Sequence, residues 1–394
     1  MGMLRNSVYV YSAFIYLNLL VYVFHSILGK SLGKEGYGEF SVVYSLIFSI
    51  GYLASILSTL SVKTIIENFD RRFELLQSMR FFGLIFGLGF GALAVIFSDY
   101  LKDFLNVTEG YYFYFVGVSW FVLFPLVVEK SFLQASGRFG LFAFSNGFEM
   151  TVRVIVAYTS LHIGLKVEAG IIAYLSGIIV VESVLLLNNR GWRFRKAKLD
   201  IKRLFKIALY AFPVGFFIYA DDIFIRRIFS PETAGIYASV SAFGKFLLWS
   251  VVALMDVYFP KFVESKMDRS LRKYLFQIFA VAFFLEILFQ TLVAITGKSL
   301  FNLVFGSAFI SAYEYVPKYL ISILSLIFVL IFVSLATSLE RGIIIVYLNL
   351  ICFYGGFFII DFSSIEDYLF YLFAVNFIFV LFYLYSFRQL IFKR

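Results

Sequence analysis

Charge is what this chain has least of. Asp, Glu, Lys and Arg make up 15% of its 394 residues, while 61% are hydrophobic and the mean hydropathy is +0.90. A soluble domain typically carries about 25% charged and about 45–50% apolar residues, so a water-soluble globule is excluded. Cysteine is almost absent too. The single Cys352 lies within an apolar run, which excludes a disulfide framework and any cysteine-based metal cluster. Only two histidines occur, and His162 stands alone at a helix end. No complete GxxxxGK[ST] phosphate loop and no HExxH motif is present, so direct ATP use and zinc-dependent hydrolysis have no sequence basis. No cofactor, metal site or catalytic group is expected.

What the chain does have is length of apolar run. Windows of about twenty residues recur, each long enough to cross the hydrocarbon as a helix. They lack the alternation of a membrane β-strand. The spans are predicted at about 7–28, 40–61, 81–98, 111–128, 139–162, 169–187, 207–228, 236–257, 275–296, 317–336, 342–360 and 368–387. The first is too long for a signal peptide, and no small-residue cleavage site follows it.

The net charge of +9 is distributed as a topology signal. With the N-terminus placed in the cytoplasm, Arg5, the segments 63–80, 130–138, 190–206 and 261–273, Arg341 and 388–394 fall inside. They hold about three times as many Lys and Arg as the outer segments, which carry Lys30, Lys34, Lys102, Lys166, Lys298 and Lys318, with Arg226 and Arg227 at a membrane edge. Both termini are therefore expected in the cytoplasm. The basic run "RGWRFRKAKLDIKRLFK" (190–206) reads as a cytoplasmic loop facing anionic headgroups, not a nucleic-acid site.

That run also separates two halves of six spans: an N-terminal lobe at 1–189, a linker at 190–206 and a C-terminal lobe at 207–394. "KEGYGEFSVVYSL" (34–46) and "PETAGIYASVSAF" (231–243) align without gaps at an offset of 197, placing Glu35 on Glu232, Gly38 on Gly235 and Phe40 on Tyr237. Six spans per half is even, so the halves are expected to share orientation, as parallel transporter repeats do.

Three motifs carry a family resemblance. "LGKEGYGEFSVVYSLIFSIGYLASILSTLSVKTIIE" (32–67) resembles the start of the polysaccharide-exporting branch of the multidrug/oligosaccharidyl-lipid/polysaccharide (MOP) superfamily, where an L-G-x-x-x-Y/F-G loop enters the second helix. "YADDIFIRRIFSPETAGIYASVSAF" (219–243) is similar to that family's seventh and eighth helices, and "LFNLVFGSAFISAYEYVPKYLISIL" (300–324) to the element before its tenth. The family usually has one Asp followed by a basic residue, whereas Asp221 and Asp222 are adjacent here, and the family role is carried over to Asp222.

The resemblance implies an all-α polytopic membrane protein of about twelve helices, in two six-helix lobes around a central cavity that opens to alternate sides. It implies a Wzx-type flippase for undecaprenyl-diphosphate-linked oligosaccharides of O-antigen or capsule, in the bacterial cytoplasmic membrane. The partners implied are the lipid-linked oligosaccharide, membrane lipids, and polysaccharide polymerase and chain-length proteins. The drug/cation antiporters share the fold, so fold alone does not choose between them. A membrane polysaccharide polymerase or ligase would typically carry a large outer loop with Arg, His or acidic groups, and the longest outer loop expected here has about twenty residues and no His.

Buried charge is costly, roughly 2.5–3.5 kcal/mol per group at mid-membrane on an insertion scale, so each such residue is a candidate. Asp222 and Arg226 are four apart and can meet on one helix face, the arginine near enough to the outer surface to snorkel. They read either as a helix-end ion pair or as a coupling or gating acid at a wet cavity. Lys245 sits mid-span on a face with Ser241, Trp249 and Asp256, and must face a cavity or find an acid. Arg153 follows Glu149 by four with Asn146 one turn before, as a structural pair or a substrate site. Glu286 with Gln290 is a second coupling candidate, against simple bundle packing. Tyr11, Asn18 and His25 recur every seven residues as a possible cavity stripe, His25 reading equally as interfacial. The substrate-binding set is thus Lys245, Arg153, His25, Asn18 and Arg226, and the coupling or gating set Asp222, Glu286 and Glu149.

Overall fold

In a bilayer core no water can satisfy exposed backbone N–H and C=O groups, so an apolar run of this length forms an uninterrupted helix wherever its sequence allows. The computed structural model describes residues 2–189, 201–264, 271–339 and 341–392. These residues form twelve α-helices and two 3-10 helices, without a strand. The α-helices are α1 (Gly2–Glu67), α2 (Arg72–Ile96), α3 (Ser98–Leu105), α4 (Tyr112–Ala135), α5 (Phe139–His162), α6 (Val167–Asn188), α7 (Ile201–Ile228), α8 (Pro231–Glu264), α9 (Leu271–Phe305), α10 (Val316–Leu339), α11 (Ile343–Ile359) and α12 (Ile365–Phe392). Nine helical stretches among the described residues are long and apolar enough to cross a membrane, and the chain is a multi-pass membrane protein. It divides into two compact units, Met1–Ala208 and Leu209–Arg394.

The first two predicted spans are the two helical segments of α1, which meet at Gly33, whose non-helical φ of 66° suits glycine and strains residues with a side chain. The elements differ from the predicted spans in three places. A short amphipathic helix, α3, follows α2 and is too short to span. The expected outer loop after span nine is helical: α9 bends at Gly297 and continues to Phe305, and a 3-10 helix covers Ser307–Tyr315. Finally, α7 begins at Ile201, so the last residues of the expected linker are helix, while 190–200 lie outside the described residues.

In the N-terminal unit α4 packs against α1, α2 and α6, and α5 packs against α1 and α6. A stripe of glycines brings α2 onto α4. A Cβ at Gly83, Gly87 or Gly91 would meet the α4 backbone at Phe124, Phe121 and Gly117, at 3.1, 2.9 and 2.6 Å. Lipid tails are as apolar as leucine, so close backbone approach between small residues is what holds such helices together. Pro125 inside α4 has no N–H for the Phe121 carbonyl, and Gly87 lies against that oxygen. Gly87→Val is therefore expected to lower stability by about 1–3 kcal/mol through overpacking. Gly89→Ala, on a face where a Cβ meets nothing within 4 Å, is expected to leave it unchanged. Thermal unfolding of the two purified variants checks this, and equal losses would contradict it.

In the C-terminal unit α10 is the central helix, packed between α8, α12 and α9. Buried apolar residues run along its whole length, although Ile321 is exposed. The buried ring of Tyr319 on α10 reaches α8 at Gly244, where a Cβ would stand 2.3 Å from the ring. That contact places a hydroxyl beside the charged residues of α7 and α8.

Candidate functional site

The C-terminal unit holds a buried ionic cluster built from four helices, α7, α8, α10 and α12. Asp221 and Asp222 on α7 and Lys245 on α8 are each no more than 6% exposed. Lys245 Nζ donates to Asp221 Oδ1 at 2.9 Å and also to Asp222 Oδ2. Asp221 Oδ2 accepts from the hydroxyls of Tyr237 and Tyr319, both at 3.0 Å. Tyr368 on α12 donates to the Asp221 backbone carbonyl at 2.7 Å. The Lys245 ammonium also lies 5.1 Å from the centre of the Tyr219 ring, within cation–π range. These two carboxylates and one ammonium together sum to one negative charge, apart from Arg226 one turn further along α7.

The N-terminal unit holds a cluster of the opposite sign. Lys130 on α4 donates to Asn146 Oδ1 at 2.7 Å and to Glu149 Oε2 at 2.5 Å, both on α5. Arg153, one turn further along α5, donates through Nη2 to Glu149 Oε1. Its guanidinium stands 4.1 Å from the centre of the Tyr174 ring on α6. Arg153 is 7% exposed, and its Nε is a buried donor with no hydrogen-bond partner among the described residues. Two bases share one acid, a net charge of +1. Gly177 makes the geometry possible, because a Cβ there would stand 2.7 Å from Arg153 Cγ.

A further ion pair lies in the same unit. Arg80 on α2 and Glu129 on α4 are fully buried and pair through both guanidinium edge nitrogens, Nη2 to Oε2 at 2.8 Å. Asn189 Nδ2 also donates to Glu129 Oε2 at 2.8 Å. Glu182 on α6 is 8% exposed, and its Oε2 has no hydrogen-bond partner among the described residues.

The structure therefore brings together Asp222 with Lys245, and Glu149 with Arg153, from the expected set. Arg226 is 3% exposed and does not snorkel; its neighbour Arg227 is the exposed one. Glu286 accepts from Gln290 Nε2 at 2.8 Å, and the same amide donates to the Pro317 carbonyl at 2.9 Å, tying α9 to α10. His25 Nδ1 lies 2.9 Å from the Tyr37 hydroxyl, in a box of Phe24, Phe40 and Tyr44 rings. Asn18 is half-buried on α1, two turns earlier. The side chains of Tyr11 and Asp256 lie outside the described residues.

The internal repeat relates these places. Within the match, Phe40 and Tyr44 correspond to Tyr237 and Ser241, and the same offset of 197 carried beyond it puts His25 at Asp222 and Phe48 at Lys245. The ionic cluster of the second unit is thus an aromatic box in the first, whose charges come from α4 and α5 instead. Arg80, Glu129, Lys130, Glu182 and the three tyrosines were not singled out by sequence. Arg80 and Lys130 fall in segments expected to be cytoplasmic loops, yet both are on helices that run further than hydropathy predicts.

A family model described as "Polysaccharide biosynthesis protein" matches residues 3–266. The fold is similar to an inward-facing multidrug resistance transporter of the MATE family in the MOP superfamily, with a TM-score of 0.76, 11% identity and 94% of each chain covered. It is similar to a MOP superfamily transporter from Pyrococcus furiosus described as having a binding pocket of reverse polarity, with a TM-score of 0.71, 10% identity, and 99% of this chain and 95% of that one covered. An outward-facing MATE transporter is similar with a TM-score of 0.68 and 13% identity, 99% of this chain and 95% of that one being covered. At these identities the likeness is one of fold. No curated protein matches the sequence.

Proposed function

The chain belongs to the family of polysaccharide biosynthesis proteins within the MOP superfamily, and from that premise we propose that it moves an undecaprenyl-diphosphate-linked oligosaccharide from the cytoplasmic to the outer leaflet. The observation that carries this reading is the net positive cluster of Lys130, Glu149 and Arg153, with a buried Arg153 donor left over. A diphosphate joined to sugars cannot enter hydrocarbon unaided, because its charges and hydroxyls lose water without replacement. Lys130 supplies a point charge and Arg153 a planar fork, which together replace part of that hydration. Tyr44 and Asn146, both part-exposed, offer hydrogen bonds to the glycan.

The C-terminal cluster has the opposite sign and takes the other role. One net negative charge beside Asp222 suits a coupling proton or metal cation, not a phosphate. Lys245, expected from sequence to touch substrate, is held by Asp221 and Asp222, and is assigned here with them to coupling or gating. Glu286 is the second acid of this group. His25, Asn18 and Arg226 remain candidate substrate contacts. Similar folds described in inward-facing and outward-facing conformations support an alternating-access cycle. The reading places the chain in the bacterial cytoplasmic membrane with both termini inside, working beside polysaccharide polymerase and chain-length proteins on O-antigen or capsule units. It makes and breaks no covalent bond.

A second reading, a drug or cation antiporter, draws on the same tyrosine-walled net negative cluster, since aromatic faces and acids hold organic cations. Equilibrium binding separates the two. A fluorescent diphosphate-linked oligosaccharide is expected to bind the purified protein, and Arg153→Gln to weaken it about tenfold, a loss of about 1.4 kcal/mol. Binding of cationic dyes with no measurable affinity for the glycolipid would favour the antiporter.

A further inference from the structure

One cavity of the N-terminal unit lies apart from the clusters above. It has a volume of about 320 Å³ and is lined by Arg72, Arg138, Ser136, Asn188, Asn189 and Phe73, among others. We propose that this cleft binds the phosphodiester headgroup of an anionic phospholipid from the leaflet on its side of the membrane.

The two arginines make the case. Among the described residues neither has a carboxylate partner. Arg72 donates to the Phe69 carbonyl at 3.4 Å and lies over the Phe69 and Phe73 rings, at 4.2 and 5.2 Å. Arg138 donates to Asn189 Oδ1 at 3.3 Å and to Asn188 Oδ1 at 2.7 Å. The neighbouring Arg71, by contrast, is paired with Glu74. The Ser136 Oγ is buried and has no hydrogen-bond partner among the described residues. The cleft thus gathers two uncompensated guanidiniums and an unused hydroxyl, each of which can donate to phosphate oxygen.

Helix ends do not reverse that sign. The carbonyl ends of α4 and α6 reach the cleft, each equivalent to about half a negative charge. The amino ends of α2, which begins at Arg72, and of α5, which follows Arg138, supply about as much positive charge. The guanidiniums decide, and the cleft stays cationic. Asn189 links it inward: the amide that accepts from Arg138 donates to Glu129, partner of the buried Arg80.

A lipid is favoured over a free phosphate by what adjoins the cleft. Phe69 of the lining is 44% exposed, and Ile66 and Leu187, a few residues from lining positions, are 58% and 84% exposed. Such side chains suit acyl chains. The segments 63–80 and 130–138, which supply most of the lining, are among those that the Lys and Arg bias places toward anionic headgroups. Basic pockets between helices on that side are a known setting for headgroup binding. This inference stands apart from the transport reading, and either can fail alone.

Native mass spectrometry of the full chain with dioleoyl phosphatidylglycerol and dioleoyl phosphatidylcholine tests it. The wild type is expected to hold phosphatidylglycerol at least fivefold tighter, and soluble glycerol phosphate at millimolar concentration not to displace it. Arg72→Gln/Arg138→Gln is expected to remove the preference and Arg71→Gln to keep it. Ser136→Leu, which fills the cleft and leaves both charges, is expected to remove it as well. Equal binding of the two lipids by the wild type would overturn the proposal, as would a preference that survives in the folded double variant or in Ser136→Leu. Displacement by glycerol phosphate at similar affinity would reassign the cleft to a free phosphate and end the lipid reading.

Discussion

Lys245→Met is expected to lower the unfolding free energy by about 3–5 kcal/mol, the cost of leaving a buried charge without its partner. In the wild type Asp221 and Asp222 share one ammonium and the cluster carries one net negative charge. Removing Lys245 doubles that charge at a place no more than 6% exposed. A second substitution then helps instead of adding damage. Lys245→Met/Asp222→Asn restores the wild-type net charge and is expected to regain about 2–3 kcal/mol, the coupling typical of residues in direct contact. Chemical unfolding of the four members of the cycle in detergent, followed by circular dichroism, measures this. Additive losses would show that Lys245 and Asp222 act independently, against the geometry.

Arg80→Leu is expected to cost a similar about 3–5 kcal/mol, at a site that plays no part in the proposed binding. Glu129 is fully buried and would keep only Asn189 in place of a two-pronged guanidinium. Arg80→Lys keeps the charge but cannot present two parallel donors, so a loss of about 1–3 kcal/mol is expected. Arg80→Leu/Glu129→Leu removes both charges together and is expected to return close to wild-type stability, since well-packed apolar residues often replace a buried pair without loss. The Asn189 amide, which loses its Glu129 acceptor, costs about 1 kcal/mol. Unfolding midpoints of the three variants check the order. A double variant as unstable as Arg80→Leu alone would mean the pair acts through shape and not charge.

The helices of this fold were legible because lipid-soluble runs announce themselves by length, and α5 runs over the residues predicted. What escaped is what hydropathy does not encode. The chain does not stop being helical where it stops being apolar: α4 continues through Lys130 to Ala135, and α2 starts eight residues before Arg80. Bases near the end of an apolar run read as loop residues, yet here Arg80 is buried, Lys130 is half-buried, and both are paired across helices. Local periodicity found Glu149 with Arg153 because they are four apart on one helix. It pointed Asp222 to Arg226 for the same reason, and gave no sign that Lys245, on the next helix, is held by both aspartates. Tyr237, Tyr319 and Tyr368 were hidden in a different way. With 27 tyrosines in the chain, composition alone does not show which three would gather around one carboxylate and its backbone. The glycine stripe at Gly83, Gly87 and Gly91 was readable in principle, since its spacing of four puts it on one helix face, and its meaning became clear only with α4 against it.

The central claim is that a cationic cluster on α4 and α5 carries a diphosphate-linked glycan between leaflets. Proteoliposomes containing a fluorescent diphosphate-linked oligosaccharide on both leaflets, with a membrane-impermeant quencher outside, measure this directly. The account predicts that wild-type protein carries quenching beyond the outer-leaflet half and that folded Arg153→Gln does so at least about tenfold more slowly. Quenching that stops at half with active wild-type protein, or that proceeds equally fast in Arg153→Gln, would contradict it.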